Sequence, residues 1–166
     1  SLIIKLTSKG KVLFSQERIG KNGKKFNLYK FRSMIDVPES EEEHKKWVRA
    51  LIKESYENDS VLTKIVNEKR VTRIGKFLRK TSIDELPQLF NVIKGDMSLV
   101  GPRPCLPYEY EVFDEWHKRR HSVLPGCTGV WQINGRGSVS FKDSIILDLY
   151  YVNNATPWQD LQLIIK

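Results

Sequence analysis

Residues 81–104 constrain this chain more than any other segment: Thr-Ser-Ile-Asp-Glu-Leu-Pro-Gln-Leu-Phe-Asn-Val-Ile-Lys-Gly-Asp-Met-Ser-Leu-Val-Gly-Pro-Arg-Pro. Two adjacent carboxylates, Asp84 and Glu85, stand at a predicted helix start, and Arg103 is fixed between two prolines. The helix, over about 85–93, has to stop at Lys94-Gly95-Asp96, and 97–100 then reads as extended. Paired carboxylates and a rigid guanidinium, brought to one place, suit a divalent metal and a phosphorylated substrate.

In a strand, Asp84 and Glu85 would point to opposite faces. At a helix start their side chains diverge by about 100° and can both reach one site off the terminus. Pro87 supports that placement, because a first turn has amides without helical partners. Those amides and the dipole favour an anionic ligand. Spacing alone leans to a plainer reading, with Asp84 as an N-cap and Ser82 with Glu85 as a capping box. Arg103 divides in the same way. Its stiff backbone would lower the entropy lost on binding two phosphate oxygens, but a structural pairing with a local acid such as Asp96 fits equally.

Around this segment the chain reads as α/β, helix-dominated, with a small β-hairpin. Residues 12–19 and 24–32 flank Gly20-Lys21-Asn22-Gly23, a hairpin pattern. The period of two puts Phe26, Leu28, Lys30 and Arg32 on one face, so the two basic residues project together. Helices are predicted over 39–57, where acids cluster in the first turns, and over 61–67, 74–80, 107–121, 141–153 and 157–165. Residues 128–134 read as extended.

At 166 residues the chain makes one compact domain, 1–166, with a core of its own. A net charge of +8 prefers anionic partners: phosphates, an acidic membrane surface or nucleic acid. Cys105 and Cys127 have no metal or redox spacing, so a reducing compartment is expected. No apolar run is long enough to span a bilayer. The opening Leu2-Ile3-Ile4-Lys5-Leu6 reads as mid-element, as in a domain of a longer protein.

The run from Asp84 to Pro104 closely resembles the signature of the bacterial sugar transferases, the monotopic polyprenyl-phosphate phosphoglycosyl transferases. The resemblance extends to Lys30-Phe31-Arg32-Ser33-Met34, Arg79, Arg120-His121 and Pro125-Gly126-x-Thr128-Gly129. It continues through Gln132-x-Asn134-Gly135-Arg136, Leu147-Asp148-x-x-Tyr151-Val152, Asn154 and Asp160-Leu161. It implies transfer of a sugar 1-phosphate from a UDP-sugar to a membrane polyprenyl phosphate, with release of UMP. Asp84 would be the nucleophile that carries the sugar phosphate as an aspartyl ester, and Glu85 would hold Mg²⁺. Arg79, Arg103 and Arg136 would contact phosphate, with Lys30 and Arg32 as weaker candidates. Asp148 would orient an arginine or form a core ion pair. The resemblance also implies a membrane-inserted helix before residue 1 and a place on the cytoplasmic face of the bacterial inner membrane.

The competing class is a non-catalytic basic module that docks to anionic membrane or nucleic acid. Lys118-Arg119-Arg120-His121 fits it; Asp84-Glu85 does not, and no nucleic-acid motif appears. His121 could serve as a base, its basic neighbours lowering its pKa. Trp131 is expected in the core or at a membrane face.

Overall fold

The computed structural model describes residues 2–7, 10–35, 45–46, 48–50, 52, 71–135 and 139–165. Within them the domain is α/β and helix-dominated, with two small two-stranded sheets.

The hairpin forms as expected. β1 (Leu13–Ile19) pairs antiparallel with β2 (Lys25–Phe31), from Leu13 opposite Phe31 to Ile19 opposite Lys25. The reversal is tight: the Gly20 amide donates to the Lys24 carbonyl at 2.7 Å, and Asn22 and Gly23 take φ of 55° and 75°. This is the left-handed region that asparagine and glycine tolerate best. Directly opposed residues share a face, so Arg18 and Lys30 project from the same side.

Three short pieces then build the wall facing β2. α1 (Leu2–Thr7) touches α2 (Arg73–Lys80), which Thr72 caps by accepting from the Gly75 amide at 2.8 Å. A single turn of 3₁₀ helix, Ile83–Glu85, carries the acidic pair, and α3 (Gln88–Ile93) follows. Asn91, wholly buried, ties α3 to the hairpin: its Oδ1 accepts from the Tyr29 amide at 3.2 Å, and its Nδ2 donates to the Asn27 carbonyl at 2.7 Å. Buried amides of this kind hold register because leaving them unpaired is costly.

β3 (Ser98–Val100) runs parallel to β4 (Gly126–Thr128). Between them lie α4 (Pro107–Glu111), α5 (Glu115–Lys118) and a 3₁₀ turn over Arg119–Ser122. α6 (Val130–Gly135), α7 (Phe141–Asn154) and α8 (Pro157–Ile165) close the chain. One core cluster gathers Ile19, Val48, Ile52, Cys105 and Phe113; a second gathers Val100, Val130 and Tyr151.

Four expectations change. The helix over 107–121 is broken, because Phe113 turns into the core and the chain restarts at Asp114, whose amide donates to His117 Nδ1 at 3.1 Å. Residues 128–134 are not extended: the strand ends at Thr128 and a helix begins after Gly129, where a Cβ would stand 2.5 Å from the Gly101 carbonyl oxygen. The helix over 85–93 starts at Gln88, leaving Asp84 and Glu85 in their own turn. The capping box does not form, since Ser82 takes φ of 56° and its side chain makes no capping bond. Of the helix over 39–57, residues 45–46, 48–50 and 52 are described and helical; 61–67 lie outside the described residues.

Candidate active site

Glu85 and the Arg103-Pro104 end of the Gly101–Pro104 turn line one cleft beside the hairpin, and Asp84 is not among the residues that line it. Lys30, on β2, joins them: its Nζ lies 2.9 Å from Glu85 Oε1, with both side chains partly exposed. Lys30, Glu85 and Arg103 line this narrow cleft of about 30 Å³ together with Arg18, Gln88 and Gln132. Three cations therefore face one carboxylate there, and the local field favours an anion.

Arg103 presents an exposed side chain on a backbone gripped from several directions. The Arg103 carbonyl accepts from Arg120 Nη2 at 3.0 Å, and the Pro104 carbonyl from Arg18 Nη1 at 3.3 Å. The Pro102 carbonyl accepts from the Gly126 amide at 3.0 Å, the Cys105 carbonyl from the Ile19 amide at 2.9 Å. Behind the turn, the Tyr151 hydroxyl lies 3.3 Å from the Val100 carbonyl and 2.8 Å from Asp160 Oδ1. Glycine is required at the crossing, where a Cβ on Gly126 would stand 2.1 Å from the Gly101 nitrogen. The pairing of Arg103 with Asp96 does not occur. Asp96 sits 3.5 Å from Lys94 Nζ, and Arg103 has no ion-pair partner among the described residues.

Asp84 is 7% exposed, at the back of the acidic turn. Burial pushes its carboxyl above the usual range; the charges of Lys30 and Arg79 oppose that shift, and Glu85 adds to it. Arg79 is half-buried on α2, with its Nη1 buried and unpartnered among the described residues. Burial likewise lowers Lys30, against the pull of Glu85. The arrangement is a carboxyl group held in a nearly dry place, with two cations opposing the effect of its burial, next in sequence to a residue that lines a cationic cleft.

The other candidates separate. Arg32 lies against Gly10 and does not line the cleft. Arg136 lies outside the described residues. Asp148, 1% exposed, forms a buried ion pair with Arg120, the residue that holds the Arg103 carbonyl. Of the two alternatives for Asp148, the core ion pair is the one found: its partner is Arg120 rather than Arg79 or Arg103, and Arg120 in turn supports the backbone of the Arg103 turn. Trp131 is buried.

The basic run does not make a patch. Arg120 and His121 point inward, and Lys118 pairs with Glu115 at 3.0 Å. His121 is buried and does not line the cleft: it sits 3.4 Å from Cys105 Sγ against Tyr110 and Phe113, and burial, with Arg120 beside it, lowers it to about 3. An imidazole kept neutral in the fold but free to protonate when unfolded gives stability that is whole above about pH 6.5 and lost as pH falls toward 3. In His121→Gln the loss of unfolding free energy between pH 7 and pH 5 should shrink by about 2 kcal/mol, measured by denaturant titration at the two values. An unchanged difference would show that His121 titrates normally.

Sequence reasoning missed Arg18, Gln88 and Gln132. Arg18 was findable, since the hairpin turn sets the register that places it on the face of Leu28 and Lys30. Gln88 and Gln132 carry no such signal, because only the packing of α3 and α6 against the hairpin brings them to the cleft.

The description "Bacterial sugar transferase" matches residues 1–166. The chain is 44% identical over 158 residues to a galactosyl transferase, CpsE, of Streptococcus agalactiae, covering 94% of this chain and 33% of that protein. It is 42% identical to an undecaprenyl-phosphate galactose phosphotransferase of Salmonella typhimurium, over 95% of this chain and 32% of that one. It is 39% identical to the exopolysaccharide production protein ExoY of Rhizobium meliloti, over 99% and 71%. The chain thus spans about a third of the length of the first two relatives and most of the third. With the signature matched from end to end, the chain belongs to the bacterial sugar transferase family.

Proposed function

We propose that this domain moves a sugar 1-phosphate from a UDP-sugar to a polyprenyl phosphate, the step that starts an exopolysaccharide, capsule or lipopolysaccharide repeat. The observation that carries the reading is Asp84: a buried carboxyl within the charge influence of Lys30 and Arg79, adjacent in sequence to Glu85, which lines a cationic cleft. An Asp84 oxygen attacks the phosphorus that bears the sugar. The bond from that phosphorus to the bridging oxygen breaks, and UMP leaves with the electron pair. An oxygen of polyprenyl phosphate then attacks the same phosphorus and returns Asp84 as a carboxylate. Neither displacement needs a proton from the enzyme. The names of relatives mention galactose and glucose, so a hexose donor is the natural first choice. UMP release from a panel of UDP-sugars tests the reading, and no release from any of them would return the domain to the class of binding modules.

Arg103 meets the phosphates as charge redistributes in the transition state. Arg103→Lys keeps the charge but loses the two-pronged contact, and kcat/KM should fall on the order of 10²-fold. Unchanged turnover in that variant would make Arg103 structural.

Asp84 and Glu85 fit Mg²⁺, which takes one or two carboxylates with substrate phosphates and water rather than a protein cage. No group of three or more His, Cys, Asp or Glu suited to a metal occurs among the described residues, which excludes only the caged mode there. Glu85 would hold the ion, which when bound would offset charge on the leaving phosphate. Glu85→Gln should raise the Mg²⁺ concentration needed for half-maximal activity. Full activity in excess chelator would remove the metal from this reading.

No helix among the described residues is long and apolar enough to cross a membrane. Docking to the cytoplasmic face of the inner membrane is nonetheless part of the proposal. Leu86, Leu89, Phe90 and Ile93 follow helical spacing yet are exposed, Phe90 by 66% and Ile93 by 82%. Lys94 follows directly, Lys76 and Lys80 are exposed on α2, and anionic headgroups attract each by about 1 kcal/mol.

A further inference from the structure

We propose that Arg18 is a second phosphate-binding guanidinium, acting with Arg103 on the diphosphate of the donor; this rests on the transfer reading and adds a residue to it. Arg18 lines the cleft from β1, on the hairpin face it shares with Lys30. Its Nη2 donates to Gln16 Oε1 at 2.7 Å and its Nη1 to the Pro104 carbonyl at 3.3 Å. Those two bonds fix the plane of the guanidinium before any ligand arrives. Its Nε is buried and meets no acceptor among the described residues.

The charge balance is the stronger argument. Neither Arg18 nor Arg103 has an ion-pair partner among the described residues, and the two are close enough for burial and Arg103 together to lower Arg18 to about 10. Glu109, whose charge also acts on Arg18, is already hydrogen-bonded to the Leu106 amide at 2.6 Å. Arg18 is half-buried and Arg103 exposed, yet like charges are not ordinarily placed together without an anion between them. An anion with more than one charge resolves both problems. A phosphoryl group fits this chemistry, and a diphosphate presents two such groups side by side. The acceptor phosphate offers the same chemistry singly, so the test separates the two sources.

The full-length protein is titrated with inorganic pyrophosphate by calorimetry, as wild type, Arg18→Gln, Arg18→Lys and Glu17→Gln. Glu17 pairs with Lys25 on the exposed face of the hairpin and serves as a control for altered charge. Arg18→Gln should bind pyrophosphate on the order of 10-fold more weakly, Arg18→Lys should recover part of the loss, and Glu17→Gln should bind as wild type. KM for UDP-sugar should rise with the same ranking; a rise confined to the KM of polyprenyl phosphate would assign Arg18 to the acceptor. If Arg18→Gln does not fold, the Lys variant, which keeps charge and stem, decides the matter alone. Wild-type pyrophosphate affinity in a folded Arg18 variant overturns the proposal. Weakened pyrophosphate binding in a protein that releases no UMP from any UDP-sugar would keep Arg18 as an anion ligand and reject the transfer reading instead.

Discussion

Asp84→Asn is expected to lower sugar-phosphate transfer on the order of 10⁴-fold or more while leaving the domain folded. The amide fills the same space but offers no nucleophilic oxygen. A mass adduct formed on the parent protein with UDP-sugar should vanish in the variant, and an adduct that persists would place the nucleophile elsewhere. The stability change has a sign of its own. Burial raises the Asp84 carboxyl, so its protonated form favours the fold at low pH, and that contribution is lost as pH rises through the folded value. Asn removes a group whose charged form burial disfavours, and the variant should unfold at the same temperature or slightly higher. A residue whose removal destroys activity without loss of stability is one retained for its chemistry.

Asp148→Ala should behave in the opposite way. It leaves Arg120, 5% exposed, as an uncompensated charge in the core, which costs about 3–5 kcal/mol. In a domain of this size that lowers Tm by roughly 10 °C. Activity should fall as well, because the arginine that holds the Arg103 carbonyl loses its anchor. The double variant Asp148→Leu with Arg120→Met separates the two effects. An apolar pair should return most of the stability, yet the turn still lacks its donor and transfer should stay depressed. Recovery of both would show that the ion pair matters only for folding.

What the sequence disclosed follows from how local each signal is. The hairpin, α2, α7 and α8 are written in turn residues, capping and helical spacing, and all appear close to where the pattern puts them. The acidic pair and Arg103 are legible because each stands in a stretch with unusual backbone demands. The breaks at 112–114 and 129 are not local. Phe113 leaves the helix because a core formed from distant segments receives it, and Gly129 turns because the Gly101 backbone lies against it. Arg18 falls between the two cases: its face is set by the hairpin, but its purpose shows only when the Pro102–Pro104 turn arrives beside it. Arg32 shows the converse, since sharing a strand face with Lys30 did not bring it to the cleft.

The crossing of Gly101 and Gly126 has a consequence for anyone who would re-engineer this domain. The base on which the arginine turn rests is main chain packed against main chain, so no side chain can be exchanged there to alter its shape. Variation has to enter through the remaining walls. Cys127, whose thiol burial raises to about 11, and Gln132, whose Oε1 is buried without a partner among the described residues, are the replaceable faces. A library confined to those two positions would sample what the cleft accepts while leaving its foundation untouched.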